Sequence, residues 1–386
     1  MPTTILYALA AFPVLSETFV SNEIRAMRAQ GHRIVPVALA PHDGPCQPDD
    51  EAFRAETLAL GEEAMTPALL GSLRRPGAAM PFLRAQAGLP RRSLWLAGAR
   101  LARIAQREGA THIHAHFAHS AAATAIVGAR LAGVTCSFIG HGYDIYGTPA
   151  DLAAKIAHAD IAFATCHDMA ADFRTLAPAA RVETLFCGVD PGRFRPSRER
   201  DHGRLLAIGR LAPQKGYRAL LQALLAVPAE RRPVVDVVGD GPLRAEILAE
   251  RDALGLQGHV NLLGARPSGW IAEHGPIYRG FVAPYVITEN GDRDTGPIVV
   301  KEAMAMGLPV VASALMGMKE MVAPETGRLV PPGDVTALSL GLAWLGGLRC
   351  DKRLALGQAA RARVEAMFTL RGQAATMGWA IEGLAA

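Results

Sequence analysis

Short runs dominated by valine, isoleucine and leucine alternate with helix-forming stretches along almost the whole chain. In the first half the runs read TTILYALA, RIVPVALA, THIHAHF, TCSFIGH, IAFAT and RVETLF. In the second half they read RLLAIG, PVVDVVG, HVNLLG, GFVAPY and LPVVAS. Segments between them, such as SAAATAIVGARLAG and KGYRALLQALLAV, carry apolar residues at helical spacing. A strand that is apolar on both faces needs cover on both faces, so the alternation predicts parallel sheets flanked by helices. It is interrupted at DPGRFRPSRERDHG, residues 190–203, a charged stretch with Gly and Pro that reads as an interdomain linker. The expected architecture is α/β, with two doubly wound Rossmann-like domains at 1–198 and 199–368. A ligand cleft is expected where their strand ends face each other.

The totals exclude several classes. Half of the 386 residues are hydrophobic and one fifth are charged, so the chain folds. A net charge of +4 is too mild to argue for nucleic acid as a partner. The five cysteines (46, 136, 166, 187, 350) are scattered with no CxxC pair, which fits a reducing cytoplasm rather than a disulfide framework or a zinc ribbon. No apolar run reaches the length of a membrane span. The opening MPTTILYALAAFPVLSETF lacks a basic flank and a cleavage site, and reads as a buried strand rather than a signal peptide. Residues 66–107 stand apart, with eight arginines and neither lysine nor acid, interleaved with Leu, Phe and Trp95. Two readings stand level: a helical insertion with a solvated basic face, or a surface that meets anionic lipid headgroups.

Chemistry concentrates in two later stretches. In LLAIGRLAPQKGYRALL, a strand ends at Gly209, Arg210 and Lys215 flank a loop, and a helix starts near Gly216. Two cations beside a helix start suit a phosphate or diphosphate. In DRDTGPIVVKEAMAMGLPVVAS, seven residues separate Asp294 from Glu302. Pro297 suits the first turn of a helix, with Thr295 as cap and a stop at Gly307. Glu302 then falls one to two turns in, among apolar residues, where a carboxylate needs partners. Paired sugar hydroxyls would serve, and the free amides near Gly296 would face an anion or a sugar. The competing reading turns Glu302 to solvent beside Lys301. The histidines 112, 114, 116 and 119 of HIHAHFAH nearly spell a zinc-hydrolase motif through His114, His116 and His119, but Ala118 holds the aspartate position. The alternative places them at a strand end, lining the cleft.

Taken in order, FIGHGYDIYG, CGVDPGRFRP, GRLAPQKG and the acid-x7-acid stretch resemble the group 1 family of retaining glycosyltransferases with the GT-B fold. FPVLSETFVSNEIRAMRAQGH and GDRDTGP are most similar to its colanic-acid-type exopolysaccharide branch. The resemblance implies a hexosyltransferase that takes a nucleotide sugar, most simply UDP-linked, with no metal and no other cofactor. The donor would lie against Gly209, Arg210, Lys215, Arg266, Asp294, Gly296, Pro297 and Glu302. Glu302 would hold the ribose, Asp294 the transferred sugar, Arg266 the base side, and Arg210 and Lys215 the diphosphate. His141 would sit beside the sugar, making His141, Asp294, Arg210 and Lys215 the catalytic set. Ser16, Glu17, His116 and His119 would line the acceptor side. The segment 369–386 resembles the family's final helix, which crosses back to the first domain. The implied acceptor is a lipid-linked or oligosaccharide glycan in exopolysaccharide or lipopolysaccharide synthesis, handled in the cytoplasm or on the inner face of its membrane. The chain departs from the family at Cys187, where Asn is usual, and at Met316-Gly317, where two glycines are usual. A nucleotide-sugar epimerase or phosphorylase of the same fold, a zinc-dependent hydrolase on His114, His116 and His119, and a sugar-binding protein without turnover are the rival readings.

Overall fold

The computed structural model describes residues 3–64, 75, 77–197 and 201–384. The chain divides into two compact units: Met1–Cys187 together with Leu370–Ala386, and Gly188–Thr369.

In the first unit, strands β1 (Thr4–Leu9), β2 (Arg33–Ala38), β3 (Leu58–Ala59), β4 (His112–His116), β5 (Thr135–Gly140), β6 (Ile161–Ala164) and β7 (Val182–Thr184) form one sheet. The order is β3-β2-β1-β4-β5-β6-β7, and every pairing is parallel. Ile5 to Leu9, Ile113, Phe138, Ile139 and Ile161 are all buried, as strands covered on both faces require. The opening segment is thus an interior strand of the sheet. The helix Thr18–Ala29 follows β1 and buries Val20, Ser21, Glu23, Ile24 and Met27. The last helix, Leu370–Glu382, lies against it.

In the second unit, strands β8 (Leu205–Ile208), β9 (Val235–Val238), β10 (Val260–Gly264), β11 (Gly280–Ala283), β12 (Val310–Ser313) and β13 (Gly327–Val330) run in the order β10-β9-β8-β11-β12-β13. All are parallel. Counted along the unit this is 3-2-1-4-5-6, the doubly wound order, whose crevice lies outside the strand carboxyl ends where the winding reverses. The reversal falls between β8 and β11 here, and between β1 and β4 in the first unit. Leu205, Val235, Val237, Val282, Val311, Leu342 and Leu345 form the core on one side of the second sheet.

The arginine-rich stretch is less uniform than its sequence. Residues 66–74 and 76, with Leu69, Leu70, Leu73 and Arg74, lie outside the described residues. Phe82 and Leu94 are core residues, so they add no apolar area to a basic surface. Arg103 and Arg107 both pair with Glu63, at 2.8 and 2.6 Å. Arg75, Arg84, Arg91 and Arg92 remain exposed, beside an exposed Leu96. Among the described residues, no helix is long and apolar enough to cross a membrane.

Candidate active site

In the second unit the residues singled out above gather at the carboxyl edge of the sheet. β8 ends at Ile208, and the chain turns through Gly209 and Arg210 to the helix Tyr217–Ala226. The turn depends on Gly216, whose φ is 68° and whose added Cβ would lie 1.8 Å from the carbonyl oxygen of Pro284. At the end of β9, a Cβ on Gly239 would lie 2.0 Å from the oxygen of Gly209. These close approaches draw the ends of β8, β9 and β11 together. Arg210 is exposed and forms no ion pair among the described residues. Lys215 is largely covered. Its Nζ donates to Asp294 Oδ2 at 2.6 Å and lies 4.2 Å from the centre of the Tyr285 ring. Burial pulls the Lys215 ammonium down, but Asp294 and the two tyrosines outweigh it and the net shift is upward. Lys215 and Asp294, 79 residues apart in sequence, are therefore a direct pair.

The helix after this loop is Ile298–Ala305, and the residue before it is Pro297. The cap position falls to Pro297, which makes no side-chain cap hydrogen bond, and the Thr295 carbonyl accepts from the amide of Gly317 at 2.9 Å. The loop after β12 is thereby tied to the helix start. Met316 in that loop has φ 46° and is buried, in the left-handed region that usually falls to glycine. The helix ends before Gly307, at φ 75°. Glu302 does not face solvent. It is 9% exposed, its neighbours Val300 to Ala305 are buried, and Lys301 is turned inward over the Phe368 ring. Burial pushes the Glu302 carboxyl up to about 7, with Arg193 acting against it. Glu302 has no side-chain hydrogen bond among the described residues, so its acceptor capacity is unused. Arg266 lies just past β10, exposed, 5.6 Å from the Trp270 ring, which stacks on His274 at 4.4 Å.

In the first unit the carboxyl ends of β1, β4 and β5 hold a second group. His112, His114 and His116 are buried within β4 itself, and only His119 lies beyond its end. The proposed zinc set does not assemble. His114 and His116 converge on Glu23, and His119 instead lies near Tyr143, 6.3 Å between ring centres. Glu23 Oε1 accepts from the Tyr7 hydroxyl at 2.9 Å and meets His116 Nε2 at 3.1 Å. Its Oε2 accepts from Gln373 at 2.6 Å. His116 Nδ1 lies 3.3 Å from His141 Nε2, with the two rings nearly parallel at 11°. Phe19 and Phe117 pack against His141 at 4.5 and 4.6 Å between ring centres. Burial holds His141 well below the usual imidazole value. Ser16 is exposed ahead of the helix Thr18–Ala29. Glu17 is partly covered, its carboxyl raised by burial and lowered by His116.

Sequence reasoning missed Glu23, Tyr7, Gln373 and Asp144. Glu23 falls on the same helix face as Val20, Ile24 and Met27, a position where a charge signals a buried partner. Asp144, in GHGYD, is buried and accepts from the amides of His141 at 3.0 Å and Ala118 at 2.7 Å. It thus ties together the loops that follow β4 and β5. Burial raises its carboxyl to about 6 despite these amides. Phe117, between the two loops, has φ 69°, a strained value that costs about 1–2 kcal/mol.

Two family profiles match the chain, one on each unit. Glycosyltransferase Family 4 matches residues 16–193, and Glycosyl transferases group 1 matches residues 202–345. The amylovoran biosynthesis glycosyltransferase AmsK of Erwinia amylovora is 30% identical over 199 residues, 50% of this chain and 48% of that protein. The putative colanic acid biosynthesis glycosyltransferase WcaL of Salmonella typhimurium is 26% identical over 373 residues, 87% and 89% of the two chains. A GDP-mannose-dependent alpha-(1-6)-phosphatidylinositol monomannoside mannosyltransferase of Mycolicibacterium smegmatis is 34% identical over 203 residues, 48% and 52% of the two. The chain thus spans about half the length of AmsK and the mannosyltransferase. Among solved structures, Anabaena Alr3699/HepE in complex with UDP matches with a TM-score of 0.74 at 17% identity, over 99% of this chain and 100% of that one. This likeness shows the fold.

Proposed function

We propose that this chain, a GT-B glycosyltransferase of the nucleotide-sugar type by its two family matches and its fold, transfers a hexose with retention from a UDP-sugar to a glycan acceptor. The observation that carries the reading is the edge of the second sheet. There an exposed Arg210, a Lys215 held by Asp294, and a buried Glu302 whose side chain has no hydrogen bond among the described residues gather around one helix start. The departing nucleoside diphosphate develops negative charge. Arg210, Lys215 and the free amides of Gly296 and Ile298 supply the stabilisation. Ribose hydroxyls donate to Glu302 and complete its hydrogen bonding. Asp294 takes the hydroxyls of the transferred sugar, and Arg266 lies on the base side. The acceptor hydroxyl attacks the face the diphosphate leaves, and a phosphate oxygen takes its proton, so no strong side-chain base is required. His141 touches the sugar. Turnover is expected to survive chelator, since Arg210 and Lys215 bring the positive charge to the diphosphate.

The UDP complex of HepE supports a uridine donor. The mannosyltransferase relative favours a second reading, a GDP-linked donor. The names of AmsK and WcaL, amylovoran and colanic acid biosynthesis glycosyltransferases, support an acceptor in exopolysaccharide synthesis; we infer that this acceptor is lipid-linked and reached from the cytoplasmic face of the membrane. A thermal-shift screen with UDP-, GDP- and ADP-sugars tests the donor. Stabilisation by UDP-glucose or another UDP-hexose is expected. A response confined to GDP-sugars would replace uridine by guanosine, and no response to any of them would overturn the reading.

A further inference from the structure

The reading above leaves Glu23 and His116 without a role, although both are completely buried behind His141. We propose that Glu23 and His116 are positioning residues that fix the tautomer of His141, so that its free Nδ1 meets the substrate as a hydrogen-bond acceptor. The proposal rests on the assignment of His141 to the transferred sugar or its incoming acceptor.

The protons follow from one line of contacts that runs from Tyr7 to His141. Burial and Glu23 raise Tyr7 well above the usual phenol value, so it keeps its proton and donates to Glu23 Oε1. Gln373 donates to Oε2. A carboxylate taking both of these is an acceptor-only hub, so His116 Nε2, 3.1 Å from Oε1, must carry the proton between them. A neutral His116 then has a bare Nδ1. That nitrogen can only accept, so His141 Nε2, 3.3 Å away, is its donor. The near-parallel rings suit an in-plane hydrogen bond between them. With its proton on Nε2, a neutral His141 presents a lone pair at Nδ1. Its backbone is pinned separately, through its amide, by Asp144. Phe19 and Phe117 pack against the ring, and the line of bonds also fixes its rotation. Four distant segments of sequence contribute, at Tyr7, Glu23, His116 and Gln373. The terminal helix therefore helps to orient a group at the edge of the first sheet.

The same residues raise a competing possibility. Glu23, His114 and His116 place ligand atoms within 4.8 Å of one another, and His114 Nε2 is buried without a hydrogen-bond partner. A metal ion there would occupy His116 Nε2. The proton would move to Nδ1, and the hydrogen bond between His116 and His141 would reverse. His141 would then offer an N–H at Nδ1.

The test is long-range 15N–1H correlation on the full chain labelled at its histidines, with His116→Gln and His141→Gln assigning the two rings. Both rings are expected to be neutral, protonated at Nε2 and bare at Nδ1. A proton on His141 Nδ1, protons on both His116 nitrogens, or one zinc per chain by elemental analysis would overturn the proposal. Kinetics separate positioning from stability. In Glu23→Gln the amide can offer His116 either its oxygen or its NH2, so the tautomer is no longer fixed. That variant should lose at least about tenfold in kcat while UDP affinity stays unchanged. The loss should disappear in a His141→Ala background. Tyr7→Phe, which keeps the carboxylate and its bond to His116, should keep the wild-type tautomers. An equal loss with and without His141 would reduce Glu23 to a structural role and sink the idea. Should wild type turn over no nucleotide sugar, the transferase reading falls, while the spectra still decide the tautomers.

Discussion

At Glu302 a single carboxylate is buried in a helix with its acceptor capacity unused. Its folded-state pKa of about 7 lies above the ordinary value of 4.5. The folded chain therefore binds the extra proton between those values, and stability falls as pH rises through that window. Glu302→Gln, which imitates the protonated form, should stabilise the ligand-free chain at pH 8 by up to roughly 3 kcal/mol and have little effect at pH 5. Urea unfolding at the two pH values checks this, and a variant less stable than wild type at pH 8 would contradict it. The same change should weaken UDP, because ribose hydroxyls lose an ionised acceptor. Wild-type affinity should accordingly rise between pH 6 and 8 more steeply than that of the variant. Asp294 is expected to behave differently. It already neutralises Lys215 at 2.6 Å, so Asp294→Asn should bind free UDP at least as tightly as wild type while losing turnover. Calorimetry on free UDP distinguishes the two carboxylates, and equal losses in both would refute the division of labour.

At the scale of elements, the site depends on how tightly the loops after the strands are drawn together. Gly216→Ala meets a backbone oxygen at 1.8 Å, whereas Gly255, also left-handed at φ 66°, has open space around it. Gly255→Ala should cost about 1–2 kcal/mol of conformational strain. Gly216→Ala should cost clearly more and abolish UDP binding, because β8 and β11 must separate. Equal midpoints for the two variants in thermal unfolding would show that the loop yields freely. The strands themselves were legible, since continuous Val, Ile and Leu runs have one stable use in an α/β chain. Two escaped: β3 has two residues, and β13 reads GRLV, with Arg328 and Leu329 exposed. The Lys215–Asp294 pair and the Glu23 hub were not legible. Their members lie far apart in sequence, and no local spacing reports a contact made by the sheet order.

At the scale of the molecule, two units of the same winding each bring their candidate residues to the carboxyl edge of a parallel sheet. That placement follows from the doubly wound order and not from any single motif. The fold class was accordingly readable from the alternation alone, while the donor residues required the motifs. The first unit also presents Arg75, Arg84, Arg91 and Arg92 to solvent, each able to contribute about 1 kcal/mol beside an anionic bilayer. Wild type should co-sediment with anionic vesicles at low salt and release as the Debye length shrinks to about 3 Å at 1 M. The four changed together to Gln should stay in the supernatant yet bind UDP normally. Wild type that ignores anionic vesicles would favour a soluble acceptor.

The central claim is that the second unit holds a nucleoside diphosphate through Arg210 and Lys215. Isothermal calorimetry of UDP against wild type, Arg210→Ala and Lys215→Ala tests it most directly. Each charge-assisted contact should be worth about 1.5–3 kcal/mol, so each variant should bind roughly ten to more than a hundred times more weakly than wild type. Variants that bind UDP with wild-type affinity would contradict the account.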